Sequence, residues 1–202
     1  MITIVDYGMG NLGSIHNMLN RIGVESVITG DRKQIQDAKK LILPGVGSFD
    51  AAMLNIQERD LYDILEIKAC EDQIPILGIC LGMQLLTCSS EEGKEKGFGW
   101  IKAKTKKFPT NQDLKVPHMG WNNVYPSNQN SELLADLEEN SRFYFVHSYF
   151  VEAENKKNSI LTCNYGFEFD AAIQKDNIFG VQFHPEKSHK FGLSLLRSFT
   201  EI

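Results

Sequence analysis

The chain has 202 residues and a formal net charge of −5, and 42% of its residues are hydrophobic and 23% charged. This balance indicates a soluble protein with one domain over residues 1–202, and the acidic charge excludes a general attraction to nucleic acid or anionic lipid. No apolar run approaches the roughly 20 residues that a membrane-spanning helix needs, and no signal-peptide pattern follows Met1.

In chain order, short apolar strands alternate with helical segments through the first half. The predicted strands cover residues 2–6, 24–28, 40–43 and 74–79, and the predicted helices cover 12–22, a polar stretch from 31, 49–70 and a segment that begins at 83–87. This alternation indicates βαβ units and therefore a parallel sheet.

The second half is rich in strands that are separated by turn residues. The predicted strands cover 101–108, 116–125, 142–146, 159–164, 169–174 and 178–183, and a final helix covers 190–200. The sequence therefore predicts an α/β fold: a single domain with a largely parallel central sheet flanked by helices, plus a mixed or antiparallel β portion.

The four cysteines, Cys70, Cys80, Cys88 and Cys163, have neither CxxC spacing nor the density of a disulfide scaffold. We therefore expect reduced thiols in a cytoplasmic protein. Because no histidine pair stands at zinc spacing beside suitable cysteines, the sequence predicts no metal site. Nothing else in the chain calls for a cofactor.

Residues 8–13 read Gly-Met-Gly-Asn-Leu-Gly, a literal GxGxxG between a predicted strand and a predicted helix, and Asp31 stands near the position of a ribose-binding acid. This pattern is typical of dinucleotide-binding enzymes. Glycines also serve any tight turn with positive φ, however, and no hydride-transfer site follows downstream. We therefore interpret the segment as a loop at the carboxyl end of the first strand, where α/β proteins place ligand and partner contacts.

The segment 75–84, Pro-Ile-Leu-Gly-Ile-Cys-Leu-Gly-Met-Gln, places Gly-x-Cys-x-Gly between a buried strand and a helix. This is the cysteine version of the nucleophile elbow, in which Gly78 and Gly82 must be small because neighbouring backbone lies close. The sharp turn exposes the Cys80 sulfur at the sheet edge and at a helix N-terminus, which favours thiolate. The amide of Leu81 then points to where an oxyanion would form. A cysteine that merely fills a turn is the competing interpretation.

A base for this nucleophile is predicted in the segment 180–186, Gly-Val-Gln-Phe-His-Pro-Glu. The apolar strand ends at His184, and Glu186 follows two residues later, so that an extended chain would place both side chains on one face. Glu186 can then accept from His184 Nδ1–H and leave Nε2 free to face Cys80, which is the arrangement of a catalytic triad. A His-x-Glu pair alone would be unspecific; the combination with the elbow makes it a strong indication.

The segment 43–47, Leu-Pro-Gly-Val-Gly, ends the third predicted strand near the same edge of the sheet. A Gly-Val-Gly backbone can reorient its peptide planes at little cost. The peptide at Val46 and Gly47 therefore suits a second oxyanion donor that becomes available when its amide turns inward.

With these segments assembled, the sequence resembles the class I (triad) glutamine amidotransferases, which have a flavodoxin-like fold, over essentially its whole length. More narrowly, it is similar to the glutaminase subunits of imidazole glycerol phosphate synthase. The elbow and His-Pro-Glu mark the class, and Pro-His-Met-Gly-Trp-Asn at 117–122 and Phe-Val-His-Ser-Tyr at 145–149 are more specific to the subgroup. The other matching segments are 6–11, 43–47, 78–86, 144 and 180–188.

The resemblance implies a role for each matching position. The implied triad is Cys80, His184 and Glu186. The implied holders of the glutamine carboxylate and amino groups are Gln84 and the backbone of His147, Ser148 and Tyr149. The implied oxyanion hole consists of Val46, Gly47 and Leu81. The positions implied to lie near the docking face for a partner are Asn11, Pro117, His118, Trp121, Tyr144 and Lys187.

The resemblance also implies a reaction and a partner. The chain would hydrolyse L-glutamine to glutamate and ammonia through a Cys80 thioester. As part of a heterodimer it would channel the ammonia into a (β/α)₈-barrel cyclase of the HisF type. The cyclase would then make imidazole glycerol phosphate and an aminoimidazole carboxamide ribotide (AICAR) in histidine biosynthesis.

Two alternatives stay open at the level of the sequence. Many family members carry Arg where Gly13 stands, and residues 187–192 are similar to paralogues that supply ammonia for amidation of a bacterial surface sugar. The elbow and triad alone would also fit a cysteine peptidase or other thiol hydrolase, because they do not name the acyl group. Such an enzyme would need an open cleft for a polypeptide.

Overall fold

A computed structural model describes residues 1–109, 114–127 and 131–202. The strands in these ranges are β1 (Ile2–Val5), β2 (Ser26–Thr29), β3 (Leu41–Gly45), β4 (Ile76–Cys80), β5 (Ser89–Ser90), β6 (Ala103–Lys107), β7 (His118–Asn123), β8 (Tyr125–Pro126), β9 (Arg142–His147), β10 (Tyr149–Ala153), β11 (Ser159–Asn164), β12 (Glu168–Lys175) and β13 (Ile178–Val181). The α-helices there are α1 (Leu12–Arg21), α2 (Arg32–Gln36), α3 (Phe49–Glu58), α4 (Tyr62–Glu66), α5 (Leu81–Leu85) and α6 (His189–Glu201). None of these helices has the length and apolar composition to cross a bilayer.

The main sheet has the strand order β2-β1-β3-β4-β13-β12-β10-β6-β5. Strands β2, β1, β3, β4 and β13 are parallel, whereas β12 and β10 continue the sheet antiparallel, and β11 and β8 branch from β12. A separate antiparallel ribbon consists of β7 and β9. The predicted fold class, a largely parallel sheet with helices and a mixed β portion, is confirmed.

The parallel strands other than the edge strand β2 are buried on both faces because helices cover them. Every residue of β1, β3, β4 and β13 is buried. One apolar cluster contains buried residues of α1 and α6, and the other contains those of α3 and α5. Strands β3, β4 and β13 are neighbours, so their carboxyl ends meet at one edge of the sheet. Cys80 is the last residue of β4 there, Val46 directly follows β3, and Gln182 directly follows β13.

Several predicted elements differ in detail from the structure. Strand β10 was not predicted, the helix after the elbow has only five residues, and the predicted 49–70 helix divides into α3, α4 and a π-helical turn at Ile67–Glu71. The acid near the GxGxxG loop has a structural use: Asp31 is the N-cap of α2, and its carboxylate accepts from the Gln34 amide at 2.9 Å. Because the Asp31 carboxylate caps α2, its position no longer favours a ribose-binding role.

Gly82→Ala tests the close approach behind the elbow. A Cβ at Gly82 would overlap the carbonyl oxygen of Leu43. Because this contact is with backbone of β3, the strand itself would have to move, and we expect a loss of about 3 kcal/mol in the free energy of unfolding. Denaturant titration measures it. The control is Gly13→Ala, where a Cβ meets no atom within 4 Å in helix α1, and which should be neutral or slightly stabilising. A Gly82→Ala variant as stable as the parent would contradict the packing argument.

Candidate active site

Cys80 lies at a strained turn where β4 passes directly into α5. It is the last residue of β4 and the N-cap of α5, with φ +54° and ψ −107°. A non-glycine residue in such a conformation costs of order 1–3 kcal/mol and persists only when the surrounding structure holds it. Here Gly45 of β3 is its register partner and Gly82 allows the close approach. The predicted nucleophile elbow is therefore present in its geometry.

His184 and Glu186 form a buried ion pair just after β13. The Nδ1–H of His184 donates to Glu186 Oε1 at 2.8 Å, and the two side chains are 2% and 1% exposed. His184 Nε2 is buried and has no hydrogen-bond partner among the described residues. The local backbone differs from the predicted extended chain, because Pro185–Lys187 is a 3₁₀ turn that His184 caps. Proline at the first position favours this turn, and the pairing results all the same.

The charge state of His184 depends on its two neighbours. Burial by itself lowers the pKa of His184, but the sulfur of Cys80 and the carboxylate of Glu186 outweigh burial and raise it above the ordinary value. A protonated imidazole between the Cys80 sulfur and the Glu186 carboxylate is therefore favoured. This is the electrostatic arrangement that activates a cysteine nucleophile.

A pocket of about 360 Å³ opens onto Cys80. Its volume suits a small molecule. The predicted site residues that line it are Cys80, His184, Val46, Gly47, Leu81, Gln84, His147, Ser148, Tyr149, Pro117 and Lys187. Glu186 stands behind His184, so the structure brings the predicted triad, oxyanion and substrate residues together.

The side chain of Gln84 is held in place by two acceptors. Its Nε2 donates to the Tyr149 carbonyl at 3.2 Å and to Gln182 Oε1 at 3.3 Å. Gln182 was not predicted as a site residue; it is fully buried, and its own Nε2 lies 3.8 Å from Cys80 Sγ. It stands only two residues before His184, so the signal was in the segment but the side chain was interpreted as part of the strand.

Glu92 is another residue that the sequence did not indicate, and it lines the pocket. Its Oε2 accepts from the amide of Phe49 at 2.8 Å, which caps the start of α3 and fixes the carboxylate at the pocket wall. A carboxylate there suits the ammonium group of an amino acid. The only signal in the sequence is an acidic pair, Glu91-Glu92, after a short polar stretch, and this is too common to identify a site.

Three of the predicted partner residues, Trp121, Tyr144 and Lys187, lie together on one surface. Trp121 and Tyr144 are register partners on the β7–β9 ribbon, and Lys187 Nζ lies 5.7 Å from the Tyr144 ring centroid. Trp121 is 42% exposed and neighbouring Met119 is 61% exposed, which makes this an apolar surface.

The other partner residues lie apart from this surface or beneath it. Asn11 is at the start of α1, where its Oδ1 accepts from Ser14 Oγ at 2.8 Å. Pro117 borders the pocket. The side chain of His118 is only 2% exposed, so it cannot contact a partner directly, and any part that it has in docking must act through its neighbours.

Together the fold and the site define an α/β enzyme of the nucleophile-elbow class, with cysteine at the elbow. The model of the glutamine amidotransferase class-I family matches residues 3–201, and the chain belongs to that family.

The chain is 59% identical over 98% of both chains to a protein of Methanococcus maripaludis named imidazole glycerol phosphate synthase subunit HisH 2. It is 48% identical over the full length of both chains to a protein of the same name from Pseudomonas aeruginosa. Among solved structures, a chain of PurLQS from Thermotoga maritima superimposes with a TM-score of 0.75 at 21% identity, covering 99% of this chain and 97% of that one, and this likeness supports the fold alone.

Proposed function

We propose that this chain, as one amidotransferase domain over residues 1–202, hydrolyses L-glutamine to glutamate and ammonia through a thioester on Cys80. The observation that carries the proposal is the strained Cys80 beside the buried His184–Glu186 pair, in a pocket of about 360 Å³. Membership of the class I family supports the same chemistry. A peptidase reaction is disfavoured because the chain belongs to the class I glutamine amidotransferase family.

In the proposed reaction the thiolate of Cys80 attacks the side-chain amide carbon of glutamine. The oxyanion that forms accepts hydrogen bonds from the amides of Leu81 and Gly47. His184, protonated by the thiol, donates that proton to the departing nitrogen, so that ammonia leaves and a thioester remains. Water, deprotonated by His184, then attacks the thioester carbon. The C–S bond breaks, glutamate is released, and the Cys80 sulfur takes back the proton from His184.

The amino-acid end of glutamine would bind at the opposite side of the pocket. Gln84 and the His147–Tyr149 backbone supply hydrogen-bonding groups there, and Glu92 supplies a carboxylate for the ammonium group. The pocket therefore places recognition groups for an amino acid beside the reactive thiol. It also limits the substrate to a small amino acid with a side-chain amide.

We further propose that the ammonia passes to a (β/α)₈-barrel cyclase of the HisF type within a cytoplasmic heterodimer, for synthesis of imidazole glycerol phosphate. The names of the two full-length relatives support this partner. The exposed surface around Trp121 and Tyr144 supplies apolar and cationic groups for docking. Arg142 Cζ lies 5.7 Å from the Trp121 ring centroid, and Lys187 Nζ lies 5.7 Å from the Tyr144 ring centroid. Lys187 also lines the pocket and directly follows Glu186, so docking adjoins the triad.

Supply of ammonia for amidation of a surface sugar is the second candidate function. A side chain at Gly13 would meet no atom within 4 Å, so packing does not exclude the Arg that many family members carry there. In addition, His189 lies in the segment that resembles the sugar-amidating paralogues, and it stacks on Trp121 at a centroid distance of 5.5 Å. The segment around His189 therefore lies at the proposed docking face.

Complementation separates the two acceptors. We expect this chain, co-expressed with the barrel cyclase of its own genome, to restore growth without histidine in a strain that lacks its glutaminase subunit. Growth should be restored at low ammonium, where ammonia must come from glutamine. The Cys80→Ala variant is the matched control and should support growth only at high ammonium. Failure of the parent chain, together with loss of an amidated surface glycan on deletion of the native gene, would assign the second function.

A further inference from the structure

Two histidines outside the triad, His118 and His147, form a buried pair beside the pocket. They are register partners on β7 and β9, and His118 Nδ1 lies 2.9 Å from His147 Nε2. Their side chains are 2% and 6% exposed. The His118 ring stacks on Phe145 and Tyr165, with centroid distances of 4.8 and 4.0 Å. Apolar side chains would fill this space without the desolvation cost of two imidazoles, so the pair calls for a reason.

The hydrogen bonds of the pair determine which nitrogens carry protons. His147 Nδ1 lies 2.8 Å from the Tyr149 carbonyl, which can only accept, so His147 donates from Nδ1. Its Nε2 must then accept from the Nδ1–H of His118. The Nε2 of His118 in turn accepts from Asn122 Nδ2 at 3.3 Å. Burial lowers the pKa of His118 to about 4 and that of His147 to about 3, in keeping with two neutral rings.

This chain of hydrogen bonds ends on a group that also holds Gln84. The Tyr149 carbonyl accepts both from His147 and from Gln84 Nε2, and Gln84 donates further to Gln182, which lies against the Cys80 sulfur. At its other end this series of hydrogen bonds begins at Asn122 of β7. A complete buried network of this kind fixes the orientation of each member, because any other orientation leaves a buried group unpaired.

We propose that His118 and His147 are positioning residues, whose hydrogen-bond chain fixes the Tyr149 carbonyl and through it the Gln84 side chain against which glutamine binds. The proposal rests on the glutaminase function proposed above. Since Gln84 and Tyr149 serve the amino-acid end of the substrate, misplacing them weakens binding in the ground state and the transition state alike. The expected signature is therefore a raised KM with kcat largely kept.

The test uses His118→Phe and His118→Asn in the complex with the cyclase partner. Phenylalanine keeps the stacked ring but removes both hydrogen bonds, whereas the Asn side-chain amide retains a donor near the position of Nδ1. We expect His118→Phe to raise the KM for glutamine about tenfold, with kcat within about threefold of the parent, because a buried acceptor loses its donor. His118→Asn should recover most of the affinity.

The matched control is Tyr165→Phe, which changes the ring stacked on His118 but none of the hydrogen bonds of the two histidines. The Tyr165 hydroxyl donates to the Lys115 carbonyl instead, at 2.9 Å. This control should keep the parent KM. An unchanged KM in His118→Phe at saturating partner, or an equal rise in the control, would overturn the positioning role. If the parent complex itself releases no glutamate from glutamine, the proposed function fails rather than this inference.

Nitrogen-15 NMR of the imidazoles gives a reading that does not depend on activity. At neutral pH we expect His118 and His147 each to show a protonated Nδ1 and an unprotonated Nε2, assigned by loss of the His118 signals in His118→Phe. The same variant should alter the His147 signals, because its Nε2 has lost its donor. A protonated Nε2 on His147 in the parent protein would refute the proposed arrangement of hydrogen bonds.

Discussion

Cys80→Ala will abolish glutamine hydrolysis while the protein stays folded. Among the described residues that line the pocket, Cys80 is the one with a thiol that can form a thioester. Removing such a nucleophile reduces kcat by about 10⁴- to 10⁶-fold. The side chain shrinks by one atom at a turn whose strain comes from the backbone, so we expect the fold to be kept. Glutamate release from glutamine, measured in the complex with the proposed cyclase partner, tests this directly.

External ammonium provides the control for Cys80→Ala. The acceptor chemistry is proposed to lie on the other subunit, so the variant complex should still synthesise its product when ammonium is supplied at high concentration. Loss of both activities would indicate failure of folding or docking. Near-normal hydrolysis by a folded Cys80→Ala variant would remove the central claim about the site.

His184→Ala should damage hydrolysis more than Glu186→Gln. Alanine removes the base and the proton donor together, whereas glutamine keeps a hydrogen-bond acceptor for His184 Nδ1–H and loses only the charge that stabilises the imidazolium. The glutamine variant also places an amide where Glu186 Oε2 is buried without a partner among the described residues. We expect Glu186→Gln to retain about 10- to 100-fold more activity than His184→Ala.

The comparison needs both variants to be folded, which circular dichroism and denaturant titration establish. A matched substitution outside the site is Glu138→Gln, which breaks only a surface ion pair with Lys190. It should leave hydrolysis unchanged. Equal and complete loss in His184→Ala and Glu186→Gln would mean that Glu186 acts on the substrate directly and does more than orient the histidine.

The parts of the fold that the sequence predicted are those with local causes. The strand and tight turn around Cys80 follow from an apolar run flanked by glycines, and helix α6 follows from its apolar spacing. Strand β10 was missed because its burial does not alternate, and its neighbour in the sheet, β12, comes later in the chain. A strand whose partners are distant carries little local signal.

The same distinction separates the predicted site residues from those found only in the structure. Cys80 and His184 stand in segments whose local pattern is tied to their chemistry. Gln182 and Glu92 are ordinary residues by sequence. Packing of the folded chain brings Gln182 against the Cys80 sulfur and Glu92 to the pocket. The burial of His118 is likewise a property of the β7–β9 ribbon and the aromatic rings around it.

The position of β4 in the sheet has a consequence for synthesis on the ribosome. Ile76 pairs on one side with Leu41, which is made before it, and on the other with Ile178, which is made half a chain later. At about 5–20 residues per second, several seconds separate the emergence of the Cys80 strand from that of His184. During this interval the thiol has no base, so an unfinished chain cannot consume glutamine. The same interval leaves one edge of an apolar strand unpaired, and such an edge is a template for pairing with other chains until β13 covers it.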